Sequence, residues 1–176
     1  MTKFLDILYT AQVKALQKLR EHGIYSLDAV NVHLAKYSTE SYCLGYAPED
    51  PIEITVAGMR LFEALVSKTS REDLTEFLIH EYGHAFLFLV WNTRLSKKER
   101  KEFVRLFGDY DSDGEGYKHR ISDTIRGLLH LKPRGYDTTK YVSLYASTSP
   151  HEDWAETFAF LVCGKVAKTS GKKAAF

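Results

Sequence analysis

An α+β domain is the fold class this 176-residue sequence predicts, and three observations predict it. Short stretches with two-residue alternation cluster between residues 30 and 56, where a small twisted mixed sheet is expected. A mostly apolar helical segment near residues 71–91 carries three ionisable side chains within little more than one turn, His80, Glu81 and His84. A second apolar segment, beginning at Ser149, carries Glu152 and Glu156 four residues apart. The expected architecture is the sheet backed by these two helices, in one domain over residues 1–164. A basic, flexible tail over residues 165–176 follows.

The elements read in order as follows. Residues 3–21 form an amphipathic helix, because Phe4, Leu8, Ala11, Ala15 and Leu19 recur at three- and four-residue intervals and Gly23 supplies a stop. Strands are expected at Val30–Tyr37, Tyr42–Tyr46 and Ile52–Val56, the last after a turn at Pro48-Glu49-Asp50-Pro51. A helix from about Gly58 to Ser67 packs Leu61, Phe62, Leu65 and Val66. Ser70-x-x-Asp73 resembles a capping box and predicts a helix from Arg71 to Trp91. Ser96-x-x-Glu99 opens another helix ending near Phe107.

Residues 109–148 are less readable. Asp109-x-Asp111-x-Asp113-Gly114 copies the first half of a calcium loop, but position twelve would be Arg120, where a bidentate glutamate is needed. A plain acidic turn is therefore expected, with Ca²⁺ at Asp109, Asp111 and Asp113 as the alternative. Residues 118–131 suit a helix ended by Pro133 and Gly135.

Composition narrows the function classes. Hydrophobic residues make up 44% and aromatics 13%, enough to bury a core. The net charge of +1 gives no global field to attract nucleic acid or acidic lipid, so neither is an expected partner. The twelve residues from Lys165 carry four lysines and no acid, which leaves the remainder at −3. Cys43 and Cys163 make no disulfide framework and no metal-type spacing, and Cys163 reads as a buried thiol. Free cysteines, no signal-like N-terminus and no apolar run of membrane length point to a cytoplasmic protein, with unconventional secretion as the alternative.

His80-Glu81-Tyr82-Gly83-His84 carries the chemistry. Histidines four apart lie on one helical face, and their ring nitrogens can converge on one Zn²⁺ at about 2.0–2.1 Å each. Glu81 points beside that face, where it can deprotonate a zinc-bound water. Gly83 costs the helix roughly 0.8–1.0 kcal/mol relative to alanine, which suggests a close approach to the backbone there. The apolar flanks, Leu74, Phe77, Leu78 and Ile79 before and Ala85 to Trp91 after, weigh against a metal-free polar cluster. Such a cluster would be costly to bury without partners.

A catalytic zinc needs a third protein ligand. The metzincin extension would place glycine at 87 and histidine at 90, where this chain has Leu87 and Val90, so that variant is excluded. The segment Ser149-Pro150-His151-Glu152-Asp153-Trp154-Ala155-Glu156 answers better. Ser149 caps, Pro150 suits the first helical position, and Glu152 and Glu156 share a face. Glu152 on the zinc, with Glu156 accepting a hydrogen bond from a ligand histidine, is the economical arrangement. The bland alternative makes Glu152 a capping residue and puts Asp153 and Glu156 on a solvated stripe. His119, His130 and His151 are rival ligands without supporting context.

With those residues in place, the sequence resembles the gluzincins, zinc peptidases with two motif histidines and a downstream glutamate. The run Tyr145-Ala146-Ser147-Thr148-Ser149-Pro150-His151-Glu152-Asp153-Trp154-Ala155-Glu156-Thr157-Phe158 resembles the zinc-binding metallopeptidase family of bacteria, whose members carry a similar Y-A-x-x-x-P-x-E-D-x-A-E-x-F pattern. It is also similar to the catalytic domain of anthrax lethal factor, which has a tyrosine seven residues ahead of its ligand glutamate. The resemblance implies a zincin-like fold and a Tyr145 hydroxyl that stabilises the oxyanion of hydrolysis. It also implies a cleft beside an edge strand, either Tyr42–Tyr46 or Ile52–Val56, that pairs with the substrate backbone.

The expected function is therefore zinc-dependent endopeptidase. One zinc per chain sits on His80, His84 and Glu152, Glu81 serves as general base and Tyr145 as oxyanion donor, and a protein or peptide is the substrate. Three readings rival it: a non-catalytic zinc-binding interaction module, a secreted toxin or effector protease of narrow specificity, and an amidase of cell-wall or small-molecule amides.

Overall fold

The computed structural model describes residues 2–35, 42–44, 52–107 and 140–165. The chain gathers into two compact units, Met1–Arg94 and Leu95–Phe176. The acidic run at Asp109, Asp111 and Asp113, the helix expected over 118–131, His119, His130 and the tail from residue 166 lie outside the described residues.

The first unit opens with helix α1, Thr2–Glu21. Its buried positions Leu8, Ala11, Ala15 and Leu19 are the expected stripe. Gly23, at φ +77°, ends it. The Gly23 amide donates to the Arg20 carbonyl at 2.9 Å and the Ile24 amide to Leu19 at 3.0 Å, a closure whose left-handed residue favours glycine.

Three strands follow: β1 Asn31–Ala35, β2 Tyr42–Leu44 and β3 Glu53–Ala57. Alternation in β1 is kept, with Asn31 and His33 exposed and Val32 and Leu34 half-buried. The spatial order is β1-β3-β2. β1 runs parallel to β3, pairing Asn31 with Glu53, and β2 runs antiparallel to β3, pairing Cys43 with Ile54. Because β3 is central, both of its ladder sides are used, which removes Ile52–Val56 as a substrate-pairing edge. Its burial agrees, since Ile54, Val56 and Ala57 are inaccessible.

Helix α2, Gly58–Val66, follows β3 directly. Ala64 is buried, but Phe62, expected in the core, is 53% exposed. Positions 62 and 64 are about 200° apart on a helix, so burying one turns the other outward. Helix α3 spans Lys68–Thr93 and so begins three residues before the expected start at Arg71. Ser70 and Asp73 lie inside it, so their spacing does not form a capping box at its N-terminus; Ser67 stands just ahead of its first turn. At 26 residues it is about 39 Å long and packs against α1, α2, β2 and β3. Leu78 to Gly83 are buried without a break. Full burial of Leu78 and Ile79 contributes about 1.5–3 kcal/mol each.

The second unit starts at helix α4, Lys97–Phe107. Its capping box is reciprocal: the Ser96 amide donates to Glu99 Oε2 at 2.8 Å, and the Glu99 amide donates to Ser96 Oγ at 3.3 Å. These bonds hold the Glu99 carboxyl below its usual range. A 3-10 turn at Ala146–Thr148 leads into helix α5, Pro150–Val162. Ser149 caps α5 by accepting from the Glu152 amide, and Pro150 occupies its first position, as expected. Gly164, at φ +70°, ends it. The core of this unit is aromatic: Trp154 packs on Phe103, Phe107 and Phe158. Cys163, expected as a buried thiol, is half-buried because it is the C-cap residue rather than part of the helix's apolar face. Among the described residues, no helix is long and apolar enough to cross a membrane.

Candidate metal centre

The histidine half of the site is built by α3 alone. One helical turn separates His80 and His84, and their Nε2 atoms lie 3.2 Å apart. The rings meet edge-on, with an 82° interplanar angle. Two ligands at about 2.0–2.1 Å from a tetrahedral ion stand about 3.3–3.4 Å apart, so the observed separation fits shared coordination. His80 and Glu81 are buried and His84 is half-buried. Polar groups in such a setting need strong partners, and a pair of imidazole nitrogens is a donor set suited to zinc.

Two residues absent from the expectation shape this half. Tyr82 projects from the opposite side of α3 to the histidines and is wholly buried. Gln12 of α1 donates to its hydroxyl at 3.3 Å. Burial pushes the Tyr82 phenol up to about 12, outweighing the Gln12 hydrogen bond that lowers it. Tyr82 thus fixes the rotation of α3 while staying neutral. The second residue is Cys43 on β2. Burial, and then the charge of Glu81, push its thiol well above the usual range, so it stays protonated. That coupling marks β2, an edge of the sheet among the described residues, as the neighbour of Glu81.

The carboxylate half is built by the turn before α5 and by α5 itself. The Tyr145 hydroxyl donates to Glu152 Oε1 at 2.9 Å, and its ring is 40% exposed. Ser143 Oγ donates to Glu156 Oε2 at 2.6 Å and accepts from the Ala146 amide at 2.9 Å. Ser147 Oγ and Thr148 Oγ1 each donate to the carbonyl three residues back, Leu144 at 2.6 Å and Tyr145 at 2.7 Å. Asp153 is only 1% exposed and Glu156 is half-buried, so the solvated-stripe alternative for these two does not hold. Thr157 Oγ1 approaches Asp153 Oδ1 at 3.5 Å.

Each half therefore brings its own residues together, His80 with His84 and Tyr145 with Glu152. Of the rival histidines, His151 is half-buried in the first turn of α5; of the others described, His22 is exposed and His33 pairs with Glu53 at 3.3 Å across the sheet. Ser143 was missed although a local signal exists, since a serine three residues ahead of a helical turn is a cap pattern. Gln12 and Cys43 carry no such signal, because their relation to α3 depends on tertiary packing.

A family model described as "Putative zinc-binding metallo-peptidase" matches residues 67–171, a span that takes in α3, α4 and α5. Over 80 residues the chain is 36% identical to uncharacterized proteins of Mycobacterium bovis and Mycobacterium tuberculosis. That stretch covers 46% of this chain and 21% of each relative, so the chain spans about a fifth of the relatives' length. No solved structure matches it.

Proposed function

The chain belongs to the zinc-binding metallo-peptidase family, and from that premise we propose that it is a zinc-dependent endopeptidase of the gluzincin type. One observation carries the reading. His80 and His84 hold two imidazole nitrogens 3.2 Å apart on α3, the spacing of two ligands on one ion, and Glu152 of α5 is the carboxylate assigned as the third ligand. Two nitrogens and a carboxylate oxygen form a donor set suited to catalytic zinc, which keeps a fourth position open.

Zinc held by these three residues would polarise a scissile carbonyl and acidify a water molecule. Glu81, next to His80 on α3, takes the proton of the attacking water and delivers it to the leaving amine. Tyr145 donates a hydrogen bond to the oxyanion, a task for which a phenol needs no change of charge. Glu156 supports a ligand histidine through its carboxylate. The substrate is a peptide or protein, with its backbone laid against β2, the edge strand beside Glu81. A non-catalytic zinc module would have no use for a carboxylate at position 81.

Zinc content and peptidase turnover, measured together, test this. Wild type should hold one zinc per chain, and Glu152→Ala should lose it while Asp153→Ala largely keeps it. Glu81→Gln should retain zinc and lose about 10²–10⁴-fold in kcat. Metal-free wild type after expression with zinc, or undiminished turnover in Glu81→Gln, would overturn the proposal.

A further inference from the structure

We infer that Ser143 is a positioning residue: its hydroxyl ties the turn that carries Tyr145 to the helix that carries Glu152 and Glu156. Three hydroxyls in this turn bond along the chain, but they do different work. Ser147 and Thr148 donate to carbonyls within the turn and tighten it locally. Ser143 instead uses both capacities of a hydroxyl, accepting from the Ala146 amide and donating to Glu156. At 2.6 Å the second bond has the length of a charge-assisted O–H···O⁻ contact. Ala146 is fully buried, so its amide depends on a protein partner, and Ser143 Oγ is that partner.

The geometry then has a mechanical consequence. Tyr145 adjoins Ala146, and its hydroxyl meets Glu152, while Ser143 meets Glu156 one helical turn further along the same face of α5. Two contacts spaced by a turn set both the position and the direction of the Tyr145 segment along the helix. Without the Ser143 contact, one of these two constraints is lost. Removing the Ser143 hydroxyl would also release one oxygen of Glu156, loosening the carboxylate that the proposed site uses to support a histidine.

The catalytic consequence rests on the peptidase reading, whereas the tie itself does not. The experiment compares wild type, Ser143→Ala and Ser143→Thr in the full chain. It reads the hydrogen-exchange rate of the Ala146 amide, zinc affinity by chelator competition, and kcat and KM on peptide substrates. Ser143→Ala should speed Ala146 exchange at least about tenfold, since the bond that protects it is gone. It should lower zinc affinity and kcat by about 10- to 100-fold with little change in KM. Ser143→Thr, which keeps the hydroxyl, should restore all three. Should Ser143→Ala fail to fold, Ser143→Cys, similar in size but a weak donor, replaces it under the same expectations. Unchanged exchange in the alanine variant overturns the tie. Faster exchange with unaltered zinc affinity and kcat, or a threonine variant as impaired as alanine, overturns the positioning role. A wild type without zinc or turnover would sink the peptidase reading instead, and the exchange rates would still decide the tie.

Discussion

Helices α3 and α5 both carry the proposed ligands, yet they hold them by different physics. Around His80 and His84 the helix is mostly buried, with Leu78, Ile79, Tyr82, Ala85 and Leu87 inaccessible. A long-range hydrogen bond there joins Gln12 to Tyr82. Apolar packing, non-directional but strong in sum, thus fixes the helix that carries the histidines. Around Glu152, by contrast, the turn and the helix start are set by hydroxyls: Ser143, Ser147, Thr148 and Ser149 each bond a backbone or carboxylate group. Those bonds are individually weak and strongly directional. Stability is invested in α3, and aim is invested in the segment before α5.

Stability measurements should expose that difference. The largest effect is expected from Leu78→Ala, which removes a wholly buried side chain from α3 and should cost about 2–5 kcal/mol in denaturant unfolding. A loss well under 1 kcal/mol would mean that α3 is not held by packing. Next comes alkaline pH. The folded Tyr82 phenol titrates near 12 whereas an unfolded one titrates near 10. Its contribution is therefore intact below pH 10 and is lost as pH rises toward 12, where the unfolded state releases the proton first. Stability should fall by roughly 2–3 kcal/mol across that window from this group alone. Subtracting the pH profile of Tyr82→Phe isolates the contribution, and matching slopes would show that the phenol is not buried as described. The smallest effect is expected from Ser149→Ala, about 0.5–2 kcal/mol, by loss of the α5 cap. That variant should nevertheless disturb zinc retention more than Leu78→Ala does, provided both are measured while folded. The reverse ranking would erase the distinction between the two helices.

What could be read from sequence follows the same division. The stripe of α1, the box at Ser96 and Glu99, and the Ser149-Pro150 start of α5 are local patterns, and local hydrogen bonds or spacing determine them. The pairing of His80 with His84 was legible for the same reason, because four residues on a helix is a fixed geometry. Ser70 misled because a capping-box spacing does not by itself mark the N-terminus, and α3 was already under way. Phe62 misled because composition does not say which side of α2 meets the unit. The strand order was out of reach in principle: β3 sits between β1 and β2 through pairings across 9 to 22 residues, which no local pattern encodes. Cys43 beside Glu81 and Gln12 on Tyr82 belong with it, as products of tertiary packing.

That strand order also bears on how the first unit is made. Partners in β2 and β3 are 13 residues apart at Tyr42–Thr55 and only 9 at Leu44–Glu53, whereas every β1–β3 pair spans 22. Loop-closure entropy favours the β2–β3 pairing first, with β1 joining afterwards. During synthesis all three strands leave the ribosome before α3 does, so Ile54 and Val56 must wait for a cover that has not yet been made. The helix that bears the histidines is thus the piece whose arrival completes the core of its unit, and a chain halted before it would leave that core part-covered, with α2 alone following the sheet.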